Sequence, residues 1–172
     1  MGLRRVVRIS RTLSEEKLVI ELGHATLRPD TPAVNSTFTG LRAIVCESVG
    51  AVRHEVSVPF HDSQVRGVVL LIQTGWDELW GTGAYSEPGP FLGEHLIFRM
   101  VRSGVKLVGV DFPVTDLSVE TRLITTGKIP IVENLRSLAS LPRVGARFSA
   151  LPLEATITGS CAVHAFAEID EL

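Results

Sequence analysis

The run Val68-Val69-Leu70-Leu71-Ile72-Gln73, bracketed by Gly67 and Gly75, shows no alternation of polar and apolar residues. A strand with one wet face would alternate, so this run reads as a strand covered on both faces at the centre of a sheet. From Pro88 to Gly104 the period changes. Leu92, Leu96, Ile97, Met100 and Val101 recur at helical spacing, with Pro88 and Pro90 as start signals and Gly104 as a stop. Val105 to Asp111 then returns to strand character. A strand, helix, strand order over residues 68 to 111 implies a right-handed crossover between parallel strands.

The rest of the chain is richer in strand than in helix. Arg4 to Ile9 and Lys17 to Leu22 read as a hairpin; Leu41 to Glu47, Ile129 to Glu133, Phe148 to Leu153 and Ala162 to Ile169 read as further strands. Arg28 to Gly40 holds Pro29, Pro32, Asn35, Ser36 and Thr37 without apolar period and reads as an irregular loop of functional length. With 172 residues and no repeat or low-complexity linker, residues 1–172 are expected to form a single α/β domain.

Composition narrows the function classes. Seventeen Lys and Arg against nineteen Asp and Glu give a net charge of −2, without the basic footprint of a nucleic-acid binder. Mean hydropathy of +0.26 excludes disorder and suits a chain with an oligomer interface. Cys46 and Cys161 form no C-x-x-C pair and read as reduced core residues. Arg4 and Arg5 run directly into polar Arg8 and Ser10, so no signal peptide is read, and no apolar run is long enough for a membrane span. A cytoplasmic protein is expected.

Chemistry is expected at strand carboxyl ends, where open α/β sheets bind ligands. Thr74-Gly75-Trp76-Asp77 follows the first central strand, Asp111 ends the next, and Glu133-Asn134 ends the third. A carboxylate in such a place is either hydrogen-bonded locally or a working acid. Trp76 and Trp80 are read either as core or as pocket aromatics.

These blocks also carry a resemblance. Val69 to Asp77 with Trp80 behind it, Gly104 to Asp111, Ile129-Pro130-Ile131-Val132-Glu133-Asn134-Leu135, Ala150 to Leu153 and Ala165-Phe166-Ala167 look like the bacterial cyclase family. That family includes metal-dependent kynurenine formamidases, isatin hydrolases and some aromatic polyketide cyclases. The resemblance runs from residue 41 to 169 and implies a swivelling β/β/α-type fold with a mixed sheet and one main helix. It also implies a homodimer or higher homo-oligomer.

The family's metal site is built from H-x-G-T-H-x-D-x-P, a further His two residues beyond that Pro, and a His about twelve residues before the Glu of the I-V-E-N-L block. In this chain Glu21-Leu22-Gly23-His24-Ala25-Thr26-Leu27-Arg28-Pro29 takes the first motif's place. Glu21, Ala25 and Leu27 stand where two His and an Asp would be, Thr31 and Thr121 replace the other two His, and only Glu133 remains. A divalent metal needs three or four convergent donors, and Ala and Leu offer none. No metal and no other cofactor is therefore expected. The chain is also short at its N-terminal end and in the loop 28–40 relative to the family.

The residues left for chemistry are Glu133, His24 and Glu21 as acid/base candidates, with Glu133 and Glu21 as paired carboxylates if the family geometry holds. Thr31, Trp76, Trp80, Asp111 and Thr121 are candidates for holding the substrate. Ser160 and His164 are a further nucleophile and base pair by residue type alone. The first reading is a metal-independent cyclase or lyase of polyketide-type secondary metabolism, moving protons on a small carbonyl substrate. One alternative is a metal-dependent amide or lactone hydrolase of the kynurenine formamidase kind. Another is a non-catalytic relative that binds a ligand or a partner.

Overall fold

The computed structural model describes residues 6–9, 17–28, 38–48, 55–115, 129–153 and 161–170. Thr31, Thr121, Ser160 and the centre of the 28–40 loop lie outside them. Eight strands form one sheet: β1 (Val6–Ile9), β2 (Lys17–Arg28), β3 (Phe38–Glu47), β4 (Val69–Gln73), β5 (Leu107–Val110), β6 (Ile131–Glu133), β7 (Val144–Pro152) and β8 (Cys161–Asp170). The order is β1-β2-β6-β5-β4-β3-β7-β8, and β2 also pairs with β8. That last pairing closes seven of the strands, β2 to β8, into a barrel.

Pairings β3–β4, β4–β5 and β5–β6 are parallel, and the rest are antiparallel. The class is thus a mixed, sheet-dominated α/β domain, as expected; the closure is a feature that strand patterns alone do not reveal. The hairpin of β1 and β2 and the β4-helix-β5 crossover both form.

Closure divides the side chains into two cores. The inner one holds Leu22, Ala25 and Leu27 of β2, Val69 and Leu71 of β4, Val132 of β6, and Phe148 and Ala165 of β7 and β8. The outer one holds Leu70 and Ile72 of β4, Val108 and Val110 of β5, and Ile131 of β6, beneath a cover of helix and extended chain. Successive residues of β4 therefore enter different cores, which is why its sequence does not alternate. Strand β8 alternates: Cys161, Val163, Ala165 and Ala167 are buried, while Ala162, His164, Phe166 and Glu168 between them are more exposed.

Helix α1 spans Glu94–Ser103, six residues after the Pro88 that reads as its start. The Pro88-Gly89-Pro90 segment instead packs on Trp76, whose ring lies 2.7 Å from where a Gly89 Cβ would stand. Leu96, Ile97 and Met100 face the outer core, and Gly104 at φ 75° closes the helix, its N–H donating to the Met100 and Val101 carbonyls. No helix among the described residues is long and apolar enough to cross a membrane.

Leu71 is fully buried inside the barrel, whereas Phe98 on α1 is 48% exposed. Leu71→Ala is expected to lower unfolding free energy by about 2–5 kcal/mol, and Phe98→Ala to change it by no more than about 0.5 kcal/mol. Urea denaturation of the two variants beside the parent checks this.

Candidate functional site

Strand β2 carries the first half of the site. Its register with β8 slips at Leu22, so that Glu21 pairs with Phe166 but Gly23 pairs with Ala165 and His24 with His164. The extra residue is a β-bulge, a device that re-aims side chains. Leu22, Ala25 and Leu27 enter the inner core, while Glu21, His24 and Thr26 stand outside. Across the strand pair, His164 Nε2 meets Glu21 Oε2 in a short, charge-assisted contact, with side chains 37% and 33% exposed. The His24 ring meets the His164 ring edge-on at 5.9 Å, and Phe166 flanks His164 at 5.8 Å.

In this contact it is Nε2 of His164, not Nδ1, that is placed to donate to the Glu21 carboxylate. A carboxylate in this place fixes the orientation of the imidazole ring. Residue type alone had grouped His164 with Ser160, and its partner on β2 was not foreseen.

The second half is the turn after β6. Glu133 is buried, and its Oε2 accepts the Val114 N–H at 2.7 Å, tying down the chain beyond β5. It pairs in register with Thr26, so Glu21 lies five residues further along β2, roughly 16 Å at about 3.3 Å per residue. Glu21 and Glu133 therefore do not form the expected pair of carboxylates; strand register separates them. His24, two residues from Thr26, shares an outer face with both.

Asn134 and Ser137 are the non-glycine residues with positive φ among those described, at 64° and 61°, and they bracket Leu135 and Arg136. Every residue of this turn is tethered. The N–H groups of Asn134, Leu135 and Arg136 donate to the Phe112, Val110 and Leu22 carbonyls, and that of Ser137 donates to Asp77 Oδ2. Tyr85 O–H donates to Asn134 Oδ1 at 2.8 Å. Burial, together with the charges of Asp111, Glu133 and Asp77, pushes the Tyr85 hydroxyl above its ordinary range, against a smaller opposing effect of Arg136. It stays a donor.

Asp111 and Trp76 turn out to be framework. Asp111 is completely buried and accepts the Thr74 N–H and Gly75 N–H at 2.8 Å each and the Thr74 hydroxyl at 2.6 Å, clamping the turn after β4. Trp76 is buried and donates its Nε1–H to the Tyr85 carbonyl. Neither reaches solvent where a substrate could touch it. Trp80 does, at 45% exposed, standing edge-on to Tyr85 at 4.9 Å. A separate groove of about 350 Å³, lined by residues including Glu55, His95 and Arg99, lies beside α1 and includes none of these groups.

The Cyclase family profile matches residues 17–117, more than half of the chain. The chain belongs to the cyclase family. A search of the curated proteins gives no match. Among solved structures, an isatin hydrolase bound to the product analogue thioisatinate is similar at TM-score 0.66 and 13% identity, over 86% of this chain and 71% of that one. Isatin hydrolase A from Ralstonia solanacearum is similar at TM-score 0.66 and 15% identity, over 96% and 92%. A potential metal-dependent hydrolase with cyclase activity is similar at TM-score 0.66 and 14% identity, over 98% and 89%. At such identities the likeness is one of fold.

Among the described residues of this cyclase-family chain, the donors do not fit a divalent metal. Ala25 and Leu27, at two positions where the family resemblance puts ligands, have no donor atoms and face the inner core, while Glu21 stands on the other side of the strand. Among the described residues no group of three His, Cys, Asp or Glu side chains is arranged to hold a metal ion.

Burial raises the Asp111 carboxyl from 3.8 to about 6, against the Thr74 and Gly75 donors that lower it. The folded protein thus holds a proton that the unfolded chain has released, and this contribution to stability is complete below pH 3.8 and lost as pH rises through about 6. Asp111→Asn keeps an oxygen where Oδ2 accepts both N–H groups but puts an NH2 donor where Oδ1 accepts the Thr74 hydroxyl, at a cost of about 0.5–1.5 kcal/mol. Urea denaturation across that window is expected to show the parent's advantage over the variant shrinking as pH rises; an advantage that grows with pH would mean that the donors outweigh burial.

Proposed function

We propose that this chain is a metal-independent acid/base enzyme, a cyclase or lyase of polyketide-type metabolism acting on a small carbonyl substrate. The observation that carries the proposal is the Glu21–His164 contact, a carboxylate-oriented imidazole on an open face beside a second histidine. It supports a division of roles different from that expected at Glu133. His164 Nδ1 takes a proton from the carbon next to a substrate carbonyl, and Glu21 steadies the imidazolium that results. The enolate carbon then bonds to a second carbonyl carbon of the same molecule, closing the ring. The alkoxide formed there takes a proton from the His164 imidazolium or from His24.

Glu133 in this reading is a positioning residue, holding Val114 and the segment that leads away from β5. Thr31 and Thr121 stay as candidate substrate contacts. The swivelling β/β/α arrangement, a homo-oligomeric state and a cytoplasmic location belong to the same proposal; the apolar composition and the cyclase-family membership support them.

The first chemical step can be tested without the natural substrate. Exchange of the methyl protons of acetophenone in D2O, followed by NMR, is expected to be accelerated by the protein. His164→Asn is expected to slow the protein-dependent exchange by about 10²–10⁴-fold, with Glu21→Gln impaired as well and circular dichroism unchanged in both. Treatment with a chelator should leave the rate intact. Exchange unaffected by His164→Asn, or abolished by the chelator, would overturn the proposal.

A further inference from the structure

Arg136 has no role in the proton-transfer scheme, yet much of the turn after β6 is organised around it. Its backbone N–H is fixed to the Leu22 carbonyl inside the β2 bulge, and the residues on either side of Leu135-Arg136 hold positive φ. Backbone in that region costs an asparagine or a serine free energy and persists only where surrounding contacts over-determine it. Five such contacts, from β2, β5, the segment that follows β5, the turn at Asp77 and Tyr85, do so here.

What they hold in place is a guanidinium lying against Gly23. A Cβ on Gly23 would come within 2.8 Å of Arg136 Nε and 3.1 Å of its Nη2, so the close approach depends on glycine at this position. On its other side the guanidinium carbon lies 5.4 Å from the centroid of the Trp80 ring. None of the ion pairs among the described residues engages Arg136, whereas Arg99, Arg102 and Arg143 each have a carboxylate partner. A cation fixed by its backbone, packed between a glycine and an exposed indole, and without a carboxylate partner among the described residues is suited to an anion from outside the chain.

We infer that Arg136 and Trp80 form a binding site for a planar aromatic carboxylate, the guanidinium fork taking the carboxylate and the indole face taking the ring. Arg presents a fork of N–H donors that matches a carboxylate in two parallel hydrogen bonds, and the flat, exposed indole supplies apolar area beside it. The inference deepens the proposed function, because Gly23 is the neighbour of His24 and lies two residues from Glu21. A substrate with its carboxylate on Arg136 would then reach across the bulge toward His164. The specificity follows from the same geometry: an uncharged amide of equal shape would leave the cation without a partner.

Benzoate and benzamide share a ring and differ in this charge, so fluorescence titration of the full chain with each isolates the site. Of its two tryptophans Trp76 is buried and Trp80 exposed, and Trp80 therefore reports the binding. Benzoate is expected to bind at least tenfold more tightly than benzamide; Arg136→Gln should abolish that preference, and Arg136→Lys should keep only part of it. Equal affinity of the parent for the two ligands would overturn the inference, and so would an undiminished preference in Arg136→Gln. Should Arg136→Gln fail to fold, Arg136→Lys decides: a preference equal to the parent's would show that the guanidinium fork is not what recognises the ligand. His164→Asn, which separates this inference from the proton-transfer proposal, is expected to bind benzoate like the parent. Loss of exchange activity with benzoate binding intact, or the reverse, tells which of the two has failed.

Discussion

Pairing of β2 with β8 is the constraint on which the other features rest. It brings Lys17 to Leu27 against Cys161 to Asp170, segments more than 130 residues apart in sequence, and turns an open sheet into a closed one. A closed sheet has no free edges along its circuit, and every residue of the circuit must choose inside or outside. The inside is narrow and is filled largely by small and branched apolar residues, Ala43, Ala146, Ala150, Ala165 and Ala167 among them. Polar chemistry is therefore forced outward, and the bulge at Leu22 decides where it emerges. Without the slip in register, Glu21 and His164 would not be placed as they are relative to Gly23.

The same division bears on two of the family's metal-site positions, Ala25 and Leu27, which carry no donors in this chain. Leu27 and Ala25 lie opposite Cys161 and Val163, all four in the inner core. A histidine or aspartate at either place would have to bury a polar group among aliphatic neighbours, which is costly unless it is fully paired. Apolar residues there strengthen the barrel and remove the donors in a single change. Of the groups that remain outside, His164 meets Glu21 on one side and the His24 ring on another.

What could be read from sequence followed the range of the interactions involved. The doubly buried β4 was legible because two covers leave a mark on each of its residues, and the β4-α1-β5 crossover because its signals are local. The onset of α1 was not, since Pro88 and Pro90 serve the packing of Gly89 on Trp76, a contact that helix-start rules do not include. Barrel closure and the Glu21–His164 contact, across 143 positions, leave no local trace. Asp111 was read as a candidate ligand contact because a strand-end acid looks the same whether it meets a substrate or the next turn. Three donors from Thr74 and Gly75 decide for the turn. Arg136 was passed over for the same reason: its signal is the glycine at 23, which only pairing across strands brings near.

The turn after β6 shows how the fold converts stability into position. Left-handed backbone at Asn134 and Ser137 costs free energy that a glycine at either place would avoid. In return Asn134 offers a side-chain oxygen, which glycine lacks, to anchor Tyr85, and the backbone N–H of Ser137 is aimed at Asp77, the acid of the turn that Asp111 clamps. Tyr85 in turn packs on Trp80, so the clamp after β4, the aromatic pair and the tethered turn make one continuous support. Its rigidity follows from that mutual dependence. An arginine on a free loop would lose side-chain and backbone entropy on meeting an anion, whereas most of the backbone cost at Arg136 has already been met by folding.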